Sequence, residues 1–177
     1  MKSEEKIAPK YVLFTVVALT GLVLDLWTKQ IIVDSYRLGQ STVVYESFFS
    51  ITYARNYGAA FSMFKDLPDG ARSLFFGAVT VTAVTMIAWF MRQIGRKDYW
   101  LAFGLALIFS GAVGNAVDRW RYGYVVDFLD FYWGKGGPTW PTFNVADIGI
   151  TAGAVMVFIF ELMRKEEPAS SVEQATA

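Results

Sequence analysis

The stretch Tyr99–Trp120, YWLAFGLALIFSGAVGNAVDRW, decides the fold. From Tyr99 to Gly114 it carries no charge, and it then closes on Asn115, Asp118 and Arg119. Crossing a hydrocarbon core takes about 20 mainly apolar residues at 1.5 Å each, and this run is long enough. Three more windows qualify: Tyr11 to Val33, Ala71 to Met91 and Val145 to Met163. The whole chain agrees, with 177 residues of which 54% are hydrophobic and only 18% charged, against about 25% charged in an average soluble domain. So much apolar sequence in so small a chain predicts a mostly α, integral membrane protein. Residues 1–165 are expected to form one four-span domain, and the small, polar segment 166–177 a disordered cytoplasmic tail.

The chain contains neither cysteine nor histidine. Disulfides, thiolate chemistry, imidazole metal ligands and serine–histidine triads are therefore excluded. Acidic and basic residues balance at 16 each, so no overall field points to nucleic acid.

Where the charges sit is more informative. The two tails and the loop 92–98 hold 8 Lys and Arg in 31 residues, whereas segments 34–70 and 121–146 hold 5 in 63. By the positive-inside rule both termini are cytoplasmic, with Trp89 and Trp100 near the inner interface and Trp120 near the outer. The first span follows a basic tail but runs on through Asp25, Trp27 and Lys29 with no small-residue cleavage pattern, so it reads as retained. In the outer segments, residues 41–53 (STVVYESFFSITY) are β-branched and aromatic, which predicts short strands at the membrane surface. Residues 131–143 (FYWGKGGPTWPTF) suit an interfacial turn or flap.

A charge at the centre of a membrane helix costs roughly 2.5–3.5 kcal/mol, so such residues are paired or functional. Asp25 and Lys29 lie one helical turn apart, and Asn115, Asp118 and Arg119 share one face at the end of span 3. Span 4 opens on Asn144, Ala146 and Asp147, with Asn144 an N-cap and Asp147 near the positive end of the helix dipole. All of these lie toward the outer face.

Several have plain structural readings. Asp25 with Lys29, and Asp118 with Arg119, read as ion pairs. Gly58, Ala59 and Ala60, like Gly111 and Gly114, are small residues that permit close packing. Asp130 is read as solvated in a loop. Asp127 and Asp147 remain without a local partner. Two carboxylates held together share a proton, and the ionised member can activate water while the neutral one polarises a carbonyl. The dipole favours Asp147 as the ionised member, but spacing does not prove that the two meet. On the residues themselves an aspartyl hydrolase and an ion-pathway or scaffold protein using Asp25, Asp118 and Asp147 are equally compatible. A Ser–Lys protease would draw on Ser110 and Lys29, yet Ser110 lies deeper in span 3 and Lys29 already has Asp25.

Five blocks in order, DLWTK (25–29), NYGAAF (56–61), GNAVDR (114–119), VVDF (125–128) and FNVAD (143–147), closely resemble the signatures of the bacterial lipoprotein signal peptidases. The resemblance implies a metal-free, cofactor-free aspartyl endopeptidase of the bacterial cytoplasmic membrane. Such an enzyme cuts prolipoproteins before the diacylglyceryl-modified cysteine, at the outer face. It carries the catalytic dyad onto Asp127 and Asp147, and supporting or substrate-binding roles onto Asp25, Lys29, Asn56, Gly58, Asn115, Asp118, Arg119, Asn144 and Ala146. The implied fold is a four-helix bundle with a small extracytoplasmic β-sheet cradle and a short periplasmic helix or flap. The implied partners are prolipoprotein substrates and membrane lipids, with no nucleic acid, and the protein is expected to be a monomer.

Overall fold

The computed structural model describes residues 8–58, 68–134 and 136–165. Its elements run α1 (Pro9–Ser35), β1 (Ser41–Tyr45), β2 (Phe49–Asn56), α2 (Asp69–Gln93), α3 (Tyr99–Tyr122), β3 (Val125–Phe131) and α4 (Val145–Lys165). All four expected spans are helices, each continuing up to two residues beyond the apolar window at one or both ends. Residues 59–61 of the NYGAAF block, Lys65, Lys135 and the segment 166–177 lie outside the described residues. Among the described residues no helix beyond these four occurs, so the expected periplasmic helix is not among them.

α3 is the central helix. Half of its apolar window is buried, against 11% for each of the other three spans. The reason is in its small residues. A Cβ on Gly104 would stand 3.2 Å from the carbonyl of Gly153, and one on Gly111 would collide with the carbonyl of Ala146, so α4 approaches α3 backbone to backbone. The outward faces of the other spans keep apolar side chains such as Val16, Leu19, Leu74 and Phe158 exposed, as lipid-facing surfaces require.

At one end of the bundle, Ile87, Met91, Leu101 and Leu105 pack together. Beside them the buried Lys10 donates to the carbonyls of Met91 (2.8 Å) and Ile94 (2.6 Å). A cation there satisfies carbonyls that the end of α2 leaves open and opposes the negative end of its dipole.

The other end carries an antiparallel sheet in the order β1-β2-β3. Strands were expected near 41–53, and β1 and β2 fill that region and extend to Asn56. β3 was not expected. α3 ends at Gly123, whose φ of +77° is a left-handed conformation that glycine adopts without penalty, and the chain turns at once into VVDFLDF. Two of its positions are aspartates, which interrupt an otherwise apolar run too short to declare itself. Asp130 is accordingly not a solvated loop residue: it sits on β3 and accepts a hydrogen bond from Thr52 Oγ1 at 2.9 Å. Residues 131–143 do turn, with Trp133 N–H bonded to Pro138 O and Trp140 N–H to Phe131 O, before Phe143 bridges to Leu129. Ile32, Tyr53, Val126 and Phe128 seal the sheet onto α1.

Candidate active site

Between the two apolar clusters lies a buried polar layer. Asp25 (0%), Lys29 (2%), Asp118 (2%), Asp127 (1%) and Asn144 (0%) are almost wholly excluded from solvent, so every one of them needs partners.

The layer is built outward from Lys29. Its ammonium pairs with Asp25 Oδ2 at 2.9 Å, as expected, and with Asp118 Oδ2 at 3.3 Å, which was not. The expected Asp118–Arg119 pair is not formed. Neighbouring residues on a helix point about 100° apart, and Asp118 turns inward to Lys29 and to the backbone N–H of Val126 (3.0 Å). Arg119 instead donates to the carbonyl of Gly58 (2.9 Å) and lies over the ring of Phe76 at 4.1 Å. The other oxygen of Asp25 accepts from the N–H of Ala146 (2.9 Å), so α1 holds the first turn of α4. A Cβ on Gly114 would collide with this same carboxylate.

The third donor bond of Lys29 goes to Asn115 Oδ1 (2.8 Å). That bond fixes which end of the amide is which, because an ammonium only donates. Asn115 Nδ2 therefore faces Asp147 and donates to its Oδ1 at 2.9 Å. The second oxygen of Asp147 accepts from the backbone N–H of Asn144 (3.2 Å), while Asn144 Oδ1 accepts from the N–H of Asp147 (3.0 Å). This reciprocal pair is a capping box, with an Asn–Asp pair in place of Ser–Glu. The N-cap reading of Asn144 thus holds. Its side chain does more, however: Nδ2 also reaches Asp127 Oδ1 at 2.6 Å.

Asp127 stands on β3 opposite Ala54 of β2. Its carboxyl is pushed up to about 7, first by burial and then by the charge of Asp147, against the opposing pull of hydrogen bonds from Asn56 and Asn144. Asn56 also accepts from the N–H of Gly58 through its side-chain oxygen (3.0 Å). Asp127 and Asp147 both line a cleft of about 1140 Å³ walled by β2, the segment Trp140–Phe143 and the Ile148–Ala152 face of α4.

The structure therefore gathers all eleven residues singled out in the sequence into one region. Sequence reading missed Thr142 and Phe143 of the cleft wall and the Phe76 ring under Arg119. Only tertiary proximity marks them, since aromatic and small residues are frequent throughout the chain. The Ser–Lys alternative finds no support in the geometry: Ser110 Oγ donates to Leu107 O at 2.9 Å, and Lys29 is engaged by Asp25, Asp118 and Asn115.

Residues 17–163 match the family model described as signal peptidase (SPase) II. The chain belongs to the signal peptidase II family. Among curated relatives of this peptidase family, the lipoprotein signal peptidase of Geobacter sulfurreducens is 45% identical over 158 residues, 89% of this chain and 96% of the relative. That of Desulforapulum autotrophicum is 42% identical, covering 83% and 89% respectively. A solved bacterial membrane enzyme superposes with a TM-score of 0.79 at 28% identity, over 89% of this chain and 92% of the other.

Proposed function

We propose that this chain removes signal peptides from prolipoproteins as an aspartyl endopeptidase, with Asp127 and Asp147 as its catalytic pair. The relatives named above are lipoprotein signal peptidases, which supports the substrate class. The observation that carries the catalytic assignment is that the two carboxylates share one cleft and are tied to one residue, Asn144.

The roles follow from the hydrogen bonds. Both oxygens of Asp147 accept from N–H donors, at Asn115 and Asn144, and the residue sits in the first turn of α4 where the dipole favours negative charge. Asp147 is the base. Asp127, whose carboxyl titrates at about 7, is the acid. Asp147 takes a proton from water as the oxygen bonds to the scissile carbonyl carbon, and Asp127 gives its proton to the carbonyl oxygen. In the resulting gem-diol, one hydroxyl returns its proton to Asp127, Asp147 passes its proton to the amide nitrogen, and the C–N bond breaks. Acid and base are both restored. The two carboxyl groups suffice for this cycle, and we propose that it needs neither metal nor cofactor.

The remaining residues position the pair. Lys29 orients Asn115, Asp25 anchors Ala146, Asp118 holds the start of β3, and Arg119 with Gly58 and Asn56 shapes the approach from β2. We place the cleft at the outer face of the cytoplasmic membrane, with both termini cytoplasmic, on the strength of the Lys and Arg asymmetry. There a diacylglyceryl cysteine holds the scissile bond at the depth of the carboxylates, and its buried chains contribute about 0.8 kcal/mol per CH₂. The protein acts as a monomer, since one chain supplies every group in the cycle.

The test is cleavage of a peptide bearing a diacylglyceryl cysteine by purified Asp127→Asn and Asp147→Asn proteins. Each is expected to lose at least about 10³-fold in turnover with unchanged thermal unfolding. A folded variant cleaving at the normal rate would overturn the assignment. Orientation is tested by single cysteines, introduced into this cysteine-free chain at Thr42 or Arg96, and an impermeant maleimide: only the first should label in intact cells.

A further inference from the structure

Beside the cleft, outside the carboxylate network, arginines and tyrosines from four parts of the chain form one continuous stack. Arg121 lies over Tyr122 (5.2 Å), and Tyr122 stacks on Tyr124 (5.7 Å, 21° between planes). Arg55 lies over Tyr124 (4.5 Å) and Tyr53 (5.7 Å), Tyr57 packs on Tyr124 (5.5 Å), and Arg72 lies over Tyr57 (5.3 Å). The left-handed turn at Gly123 is what brings rings 122 and 124 face to face. The phenols of Tyr53 and Tyr124 bond to each other at 3.2 Å, and burial raises the latter to about 12, so Tyr124 stays neutral beside the arginines.

This concentration is not a by-product of a basic surface. Segments 34–70 and 121–146 are poor in cations, yet Arg55 and Arg121 converge here with Arg72 from the first turn of α2. Among the described residues neither Arg55 nor Arg121 meets a carboxylate, and both are exposed. Arg55 Nε donates to the phenol of Tyr53 (3.4 Å). A guanidinium has five N–H donors, so one whose face rests on a ring and which makes one or two such bonds still offers N–H groups to oxygen acceptors, in a geometry that matches a phosphate. The stack occupies the starts and ends of membrane-crossing helices, the level at which lipid headgroups lie and where tyrosines are favoured.

We propose that the Arg55–Arg72–Arg121 ladder is a binding surface for the phosphodiester headgroup of an anionic phospholipid. Among the described residues no carboxylate pairs with Arg55 or Arg121 to receive the ammonium of a zwitterionic headgroup, so the preference is for net negative lipid. Because Arg55 and Tyr57 also border the cleft, the bound lipid sits at its rim.

The experiment measures lipid retained by the purified full-length protein, by native mass spectrometry, after exposure to phosphatidylglycerol or phosphatidylcholine. Wild-type protein is expected to keep phosphatidylglycerol preferentially, with about a fivefold loss of affinity for each arginine changed to glutamine. Arg37→Gln, outside the ladder, should leave retention unaltered. The triple variant keeping the wild-type preference, or wild-type protein binding both lipids equally, overturns the proposal. Displacement of the lipid by millimolar inorganic phosphate identifies a free-anion site instead and overturns it too. Should the triple variant fail to fold, Arg121→Gln decides by itself, since this exposed residue ends the stack: weaker retention supports the proposal and unchanged retention overturns it.

Discussion

Asn144 Nδ2 donates to Asp127 at 2.6 Å while the same residue caps the helix that carries Asp147 in its first turn. One side chain thereby couples a strand carboxylate to a helix carboxylate, and its two jobs can be separated. Asn144→Ser keeps an N-cap of equal quality, whereas Asn144→Ala removes it at a cost of about 1 kcal/mol. Both variants lose the buried bonds from Nδ2 to Asp127 and Val126 O and should unfold below wild type, the alanine variant lower still because it also loses the cap. Turnover should fall about 10²-fold in both, as expected for a mispositioned catalytic group. Serine restoring activity would show that capping is the residue's whole contribution.

The raised Asp127 carboxyl sets a pH dependence. As the acid of the pair it must carry its proton, so turnover should decline as pH rises through about 7. Stability should move in the same direction. The unfolded chain releases this proton near 4, whereas the folded protein holds it to about 7. Between those values the folded state binds more protons and loses stability as pH increases. Denaturation curves across this range should show a shallower decline for Asp127→Asn than for wild type.

Lys29 neutralises two buried carboxylates at once. Lys29→Met leaves both unpaired and should destabilise by about 3–5 kcal/mol, read as a large drop in unfolding temperature. Adding Asp118→Asn should recover part of that loss. Turnover should remain low even then, because the Asn115 amide keeps only the longer bond from Asn144 Nδ2 (3.3 Å) to fix it.

Gly114→Ala drives a methyl group into the Asp25 carboxylate that anchors the Ala146 N–H. Overpacking of this kind costs about 1–3 kcal/mol, and the shifted start of α4 should depress turnover as well. Equal stability and activity in the alanine variant would mean that α1 and α3 have slack the structure does not display.

Ser110 touches only Leu107 O within its own helix and packs against Gly21 of α1. Ser110→Ala is expected to retain cleavage, as is the wild-type enzyme after treatment with a chelator. Inactivation in either experiment, with the protein folded, would redirect the mechanism to a serine nucleophile or to a metal.

The four spans were legible because membrane insertion imposes a length and a composition on each segment independently of its neighbours. The Asp25–Lys29 pair and the Asn144 cap were legible for a similar reason, since partners one turn apart on a helix meet whatever the rest of the chain does. β3 was not legible: its seven residues carry two aspartates, and what stabilises it as a strand is pairing with β2, far away in sequence. The Asp118–Arg119 pair was misread for the matching reason, because a buried lysine on another helix offered Asp118 a better-placed partner.

Thus the residue order by itself determined that this chain crosses a membrane four times and which few polar residues had to find one another there. Only the tertiary structure decided how they pair. Backbone contact between α3 and α4 at Gly104, Gly111 and Gly153, together with the turn at Gly123, brings Asp127 within reach of the Asn144 amide. A buried carboxylate must be satisfied by whatever group packing places beside it, and no local rule of sequence specifies that neighbour.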